Sequence, residues 1–198
     1  MNSDSLQLMV AYDMGMSSMQ CRRMVIAAVI PRRISGDIVS LRPMRIFDRL
    51  FVRSMLWDEA VVRASGLDGP PGGSSLFLWW WMRKTFRPAW CIVHDARTVG
   101  FIGLCSLCLG QSAEMTLVIA DSRDRRRGYG TAAFMLVAAA LSSSQAVERI
   151  FVRTAEDNGA AVSFWKKLGF REEAQSGGIR VLSLQMKNFD PEGRSPVL

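Results

Sequence analysis

The hydrophobic pattern changes period within residues 113–136. Residues 115–120 form an apolar, partly β-branched run short enough for a buried strand. Residues 121–130 are charged and contain glycine, and residues 132–141 have the alanine, leucine and methionine content of a helix laid on a sheet. Strand, basic turn and helix therefore follow one another, with the turn at the strand's C-terminal end.

The flanking segments read in the same way. Residues 38–44 alternate as a first strand, and residues 46–64 place Phe47, Leu50, Phe51, Met55, Val61 and Val62 near helical spacing. Pro70, Pro71, Gly72 and Gly73 make residues 66–75 a loop. Residues 76–82, with Trp79, Trp80 and Trp81, are expected to form a second helix that packs two of these rings on the sheet. Residues 90–94 and 98–109 predict a hairpin. Beyond the central helix, Ser142, Ser143 and Ser144 end the helical pattern and residues 149–154 predict another strand. Asn158 is a suitable N-cap for a helix carrying Phe164, Trp165 and Leu168, and Gly169 ends it. Residues 170–173 and 179–186 predict the last two strands, joined across Gly177 and Gly178. Residues 37–187 thus read as one domain. Residues 1–36 are an extension of unassigned structure with two readings open: a translation start at Met16 or Met24, or a helix or strand packed on the domain or on a second subunit of a homodimer. Residues 188–198, with Pro191 and Pro196, are expected to be a loose tail.

Composition narrows the chemistry. A chain of 198 residues with 49% hydrophobic and 22% charged content can bury a full core. Its net charge of +7 favours an acidic partner, such as a phosphorylated cofactor, an acidic peptide or nucleic acid. No basic stripe interleaved with aromatics supports nucleic acid, so that class ranks last. Four cysteines in a chain of this length do not make a disulfide framework, which points to a reducing cytoplasm. Cys105 and Cys108 lie in an apolar run where their spacing on a strand sends them to opposite faces, and no second pair accompanies them, so no metal site is expected. The single histidine, His94, sits with Asp95 where two strands turn, which argues against a Ser-His-Asp triad and a histidine metal centre. The apolar run 24–30 is too short to span a bilayer, and no membrane association is expected.

The basic turn has its own physical logic. Gly128 and Gly130 remove side chains that would keep an anion from the main chain, and the first amides of the next helix lack intrahelical partners. Those amides and the helix dipole favour phosphate, and Arg125, Arg126 and Arg127 add fixed charge. The sequence Arg125-Arg126-Arg127-Gly128-Tyr129-Gly130 resembles the Arg/Gln-x-x-Gly-x-Gly/Ala signature of the GCN5-related N-acetyltransferase family, placed as in that family between a strand and a helix. Residues 158–170, which open with Asn158 and close with Lys167-Leu168-Gly169-Phe170, resemble the family's later motif. The resemblance covers residues 38–186 and is specific in their second half.

The resemblance implies an α+β fold: a central, mostly antiparallel twisted sheet of six to seven strands, splayed at the central strand and flanked by about four helices. It implies acetyl-CoA as donor and a primary amine as acceptor, either a protein N-terminus or a small molecule, with direct attack of the amine in a ternary complex. The subgroup most similar is that of the ribosomal-protein N-terminal acetyltransferases. The pyrophosphate is then expected on the amides and side chains of Arg125, Arg126, Arg127, Gly128, Tyr129, Gly130 and Thr131, and the pantetheine on the amide of Ile119 or Ala120. Asn158 and Trp165 complete the cofactor-binding set. Glu114 is the first candidate for the base, with Glu156 and Asp157 as alternatives. Many members carry Tyr as general acid at the position of Trp165, whose indole cannot protonate a thiolate, which leaves Ser163 as a substitute. A CoA-binding regulatory protein without turnover is the second reading of the same residues.

Overall fold

The computed structural model describes residues 30–56 and 88–190. The expected loop at 66–75 and tryptophan helix at 76–82 lie outside the described residues. Among the described residues eight strands form one sheet: β1 (Ile34–Ser35), β2 (Ser40–Pro43), β3 (Ala89–His94), β4 (Arg97–Cys108), β5 (Ser112–Ile119), β6 (Arg149–Ala155), β7 (Arg171–Ser176) and β8 (Ile179–Gln185). Their order is β1-β2-β3-β4-β5-β6-β8-β7, and every neighbouring pair is antiparallel except β5 and β6. The expected six to seven strands become eight because Ile34–Ser35 pairs with β2. That short strand lies in the stretch assigned to the N-terminal extension, as do the buried Ile30 and the Pro31 carbonyl that accepts from the Trp90 indole.

Three α-helices are described: α1 (Asp48–Leu56), α2 (Tyr129–Ser143) and α3 (Gly159–Lys167). The sheet separates two cores. Phe134, Val137 and Leu141 of α2 and Val162 and Trp165 of α3 pack with Ala113 and Met115 of β5 and Ile150 and Val152 of β6. On the opposite face Val52 and Met55 of α1 pack with Cys91, Phe101 and Val118. Strand alternation explains the division: the odd residues of β5 face α2, and its even residues, Glu114 among them, face the α1 side.

The turns follow from backbone chemistry. Asp95 and Ala96 both have positive φ, at 48° and 61°, and Gly177 and Gly178 at 58° and 75°, the pattern of two-residue hairpin turns whose twist matches that of the strands. Gly169, at φ 87°, ends α3 in the left-handed conformation expected after a helix. His94 closes its hairpin as the sequence predicts: its ring lies against Tyr129, with centroids 4.5 Å apart, and its Nδ1 is 2.8 Å from the Ile38 carbonyl.

Candidate active site

β5 has two unlike edges. Along β4 its pairing continues to the end, from Cys108↔Ser112 to Gly100↔Ile119, with one bulge beside Cys105. Along β6 the register runs only from Ser112↔Arg149 to Glu114↔Phe151. From Met115 onward the two strands part, which is the splay expected at the central strand. The Ala120 amide donates to the Val99 carbonyl of β4. Because successive amides of a strand point to alternate edges, those of Ile119 and Leu117 face the gap instead. Of the two expected candidates, Ile119 is therefore the one whose amide addresses the splay. Strand alternation puts the Leu117 amide on the same open edge as that of Ile119.

Gly100 keeps the closed edge tight. A Cβ on it would lie 2.9 Å from Ile119 Cδ1 and still closer to the Val118 carbonyl oxygen, so only glycine lets β4 approach β5 here.

The gap opens toward the basic turn. A 3-10 turn, Ser122–Asp124, follows β5; the Asp121 carboxylate caps it by accepting from the Arg123 amide and guanidinium, which hold that carboxyl at about 2. Asp124 is buried and takes a bidentate hydrogen bond from Arg97, at 2.7 and 2.8 Å, which holds its carboxyl below the usual range. Asp121 thus braces the turn internally, and Asp124 fixes it to the start of β4. Arg125 then departs from the role expected of it: its guanidinium reaches back at 3.2 Å to the carbonyls of both Ile119 and Ala120, clasping the end of β5. Arg126 and Arg127 are exposed. Arg126 and Gly128 have φ of 63° and 84°, so the chain reverses twice in the left-handed region before α2.

Gly128 is the N-cap of α2, with no side-chain cap and no acidic residue in the first turn. The amides of Tyr129, Gly130 and Thr131 precede the first intrahelical bond, from Ala132 to the Gly128 carbonyl at 2.9 Å. The Tyr129 ring is buried against His94, so Tyr129 offers a ligand its amide and not its side chain. A Cβ on Gly130 would sit 3.3 Å from Leu117 and 3.4 Å from Phe164, so glycine allows the turn to approach β5 and α3 closely.

Asn158 caps α3, its side-chain oxygen accepting from the Ala161 amide at 3.1 Å. Trp165 is buried, with Phe164, Phe170 and Phe134 edge-on or tilted at 4.9, 5.0 and 6.0 Å. The ring expected at the cofactor is thus a core side chain, because a large apolar surface next to Phe134 and Phe170 gains most by burial. Ser163, the expected substitute acid, is exposed and stands about 200° round the helix from Trp165. The structure does not bring it to the position that the motif assigns to the acid.

Glu114 lies at the apex of the splay, its side chain 19% exposed, with the Arg153 Nε 3.8 Å away. Phe151 is its register partner on β6. Glu156 and Asp157 are exposed beyond the end of β6, and Glu156 takes a hydrogen bond from Gln175. A cleft of about 390 Å³ lies at the far end of β5 on the α1 side, between Phe51 and Met55 of α1, Thr98 of β4 and Ala120 to Ser122; Glu114 is not part of its lining. Cys105 and Cys108 carry no disulfide. Among the described residues no group of three or more His, Cys, Asp or Glu is placed to hold a metal, and no helix is long and apolar enough to cross a membrane.

Known structures share this architecture. An acetyltransferase of the GNAT family from Bacillus anthracis aligns over 78% of this chain and 99% of its own, at 13% identity and a TM-score of 0.68. Spermidine N-acetyltransferase from Vibrio cholerae, solved with CoA and spermine, aligns over 77% and 98%, at 16% identity and a TM-score of 0.62. RimL, the ribosomal L7/L12 alpha-N-protein acetyltransferase, aligns over 77% and 93%, at 11% identity and a TM-score of 0.64. At these identities the likeness is one of fold. The family model of the acetyltransferase (GNAT) domain matches residues 39–171, which include the splayed strand, the basic turn and α3. The chain belongs to the GNAT acetyltransferase family.

Proposed function

We propose that the protein is an acetyl-CoA-dependent N-acetyltransferase that acts on a primary amine by direct attack within a ternary complex. The observation that carries this reading is the continuity of the open β5 edge with the uncapped start of α2. One offers amides to an extended chain, the other to a diphosphate. The amides of Tyr129, Gly130 and Thr131, with the exposed Arg126 and Arg127, suit the pyrophosphate, and Asn158 stands at the start of α3 on the far side of the gap. Acetyl-CoA supplies the thioester carbonyl.

The residues around that carbonyl have separate tasks. The amide of Leu117 or Ile119 would donate to its oxygen as negative charge develops, a contribution on the order of 10²-fold or more in such sites. Attack by the amine nitrogen forms the C–N bond, and collapse breaks the C–S bond and releases CoA as thiolate. The proton lost by the nitrogen needs an acceptor. At roughly 3.3 Å per residue, Glu114 is about 10 Å along the strand from Leu117 and about 17 Å from Ile119. Glu114 therefore fits as a base that works through water, with Leu117 the nearer oxyanion donor. With Trp165 in the core and Ser163 facing solvent, the departing thiolate would take its proton from water.

That same burial of Trp165 favours a second reading, a CoA-binding protein without turnover. One experiment separates the two. Calorimetric titration with acetyl-CoA is expected to show micromolar binding by the wild type and none by a Gly128→Asp/Gly130→Asp variant whose circular dichroism is unchanged. Thiol release with an amine panel then distinguishes enzyme from binder. No binding by folded wild-type protein would sink both readings.

A further inference from the structure

Where β5 and β6 part, three side chains of β6 share a face with Glu114. Arg149, Phe151 and Arg153 alternate onto the α1 side, while Ile150 and Val152 enter the other core. Both guanidiniums lie over the Phe151 ring, 5.6 and 5.8 Å from its centroid. Their outer ends differ. Arg149 donates to Glu173 at 3.0 Å, and Glu173 also takes the Ser183 hydroxyl, so this arginine is tied to β7 and β8. Arg153 approaches Glu114 through Nε at 3.8 Å, beyond hydrogen-bond length, and is 59% exposed. One face of its guanidinium lies over the aromatic ring, while the two terminal nitrogens of the fork lie outside the 3.8 Å contact that Nε makes with Glu114.

Nothing in the acetyl transfer itself calls for a guanidinium beside the candidate base. The arrangement makes sense if the acceptor brings an anion with it: a fork of this kind takes a carboxylate bidentately, and a ring beneath it restricts its freedom beforehand. The net charge of +7 draws such acceptors in. A polyamine, in contrast, would set a spare ammonium group against Arg153.

We propose that Arg153 selects acceptors whose reacting amine carries a carboxylate a few bonds away, the amine lying toward Glu114 and the carboxylate in the Arg153 fork. The acidic N-terminus of a peptide and a free acidic amino acid share this chemistry. The proposal rests on the acetyltransferase reading above and names its substrate class.

The test uses the full chain at saturating acetyl-CoA, with thiol release followed for peptides led by Asp, Ala or Lys, for free aspartate and for spermidine. The Asp-led peptide or free aspartate is expected to have the highest kcat/KM, and whichever leads identifies the source of the carboxylate. Arg153→Ala is expected to raise KM for the acidic acceptors by about 10- to 100-fold, with kcat nearly unchanged and the Ala-led peptide unaffected. Arg153→Lys should recover part of the loss, since charge returns without the fork, and Arg153→Glu should move preference to the Lys-led peptide. Equal use of acidic and neutral acceptors by the wild type overturns the proposal. So does an Arg153→Ala variant that loses activity on all acceptors alike, or a protein that binds acetyl-CoA and releases no thiol with any of them. Failure of the underlying reading shows separately, as absence of acetyl-CoA binding in the titration.

Discussion

Two carboxylates on the α1 side of the sheet each have an arginine neighbour, and they are held in opposite ways. Asp48 is 7% exposed at the start of α1, takes a bidentate bond from Arg42 at 2.7 and 2.8 Å, and also accepts from the Arg45 amide. Arg42 is fixed in turn by the Thr98 hydroxyl at 2.9 Å and the Pro43 carbonyl. Burial pushes the Asp48 carboxyl up, but the bonds from Arg42 and Arg45 outweigh it and hold the group below its ordinary range. The neighbouring Cys91 thiol is pushed up to about 12 by its burial and by the Asp48 charge, so it is inert as a nucleophile. Glu114 has none of this scaffolding: its arginine stands 3.8 Å away and is mostly in solvent. A carboxylate saturated with donors is structural, whereas one at the apex of a gap with a loose partner is the one to which the proposed function gives the role of base.

The sharpest way to break the comparison is to remove each carboxylate. Asp48→Ala leaves the Arg42 guanidinium partly buried without its partner and is expected to cost about 3 kcal/mol of stability in urea unfolding, while folded protein keeps its kcat. Glu114→Gln is expected to lower kcat about 100-fold, equivalent to about 2.7 kcal/mol of barrier, with an unfolding free energy within about 0.5 kcal/mol of wild type. If Asp48→Ala abolished turnover in folded protein, or Glu114→Gln unfolded the chain, the division between scaffold and chemistry would fail. pH adds an independent reading. Because the folded Asp48 carboxyl titrates below its unfolded value near 3.8, its stabilisation is complete above that pH and is lost as pH falls through the folded value. The stability gap between wild type and Asp48→Asn should thus be constant near neutrality and close below about pH 4.

The sequence makes much of the frame legible and little of its pairing. Period changes locate every described strand after residue 88 to within a few residues, because apolar alternation and turn chemistry are local signals, as at Gly177 and Gly178. The two-residue strand Ile34–Ser35 carries too little pattern to read and exists only through its pairing with β2. At the site, the glycine turn and the cap Asn158 are visible because their backbone roles demand particular residue types. The work of Arg125 is not visible, since an arginine beside a phosphate cradle and one that clasps Ile119 and Ala120 look alike in sequence. Trp165 misleads for the opposite reason: the motif assigns it a functional position, and packing with Phe134, Phe164 and Phe170 claims the side chain. Arg153 falls on a readable alternation with Phe151, yet its nearness to Glu114 depends on the parallel register of β5 and β6, for which the sequence has no local signal.

A third pair gauges the comparison at its weak end. Arg149 and Glu173 meet at 3.0 Å with geometry far better than that of Arg153 and Glu114, but both side chains are more than a third exposed. If distance alone decided what an ion pair contributes, Glu173→Gln would cost as much as Asp48→Ala. If burial decides, solvent screens the charges and the unpaired Arg149 can be hydrated. The expected change in unfolding free energy is then below about 0.5 kcal/mol, and smaller still in 0.5 M salt. A loss of several kcal/mol would mean that the bonds from Arg149 and Ser183 to Glu173 act as one buried unit. The face of β6, β7 and β8 beside Glu114 would then belong with the scaffold and not with the acceptor site.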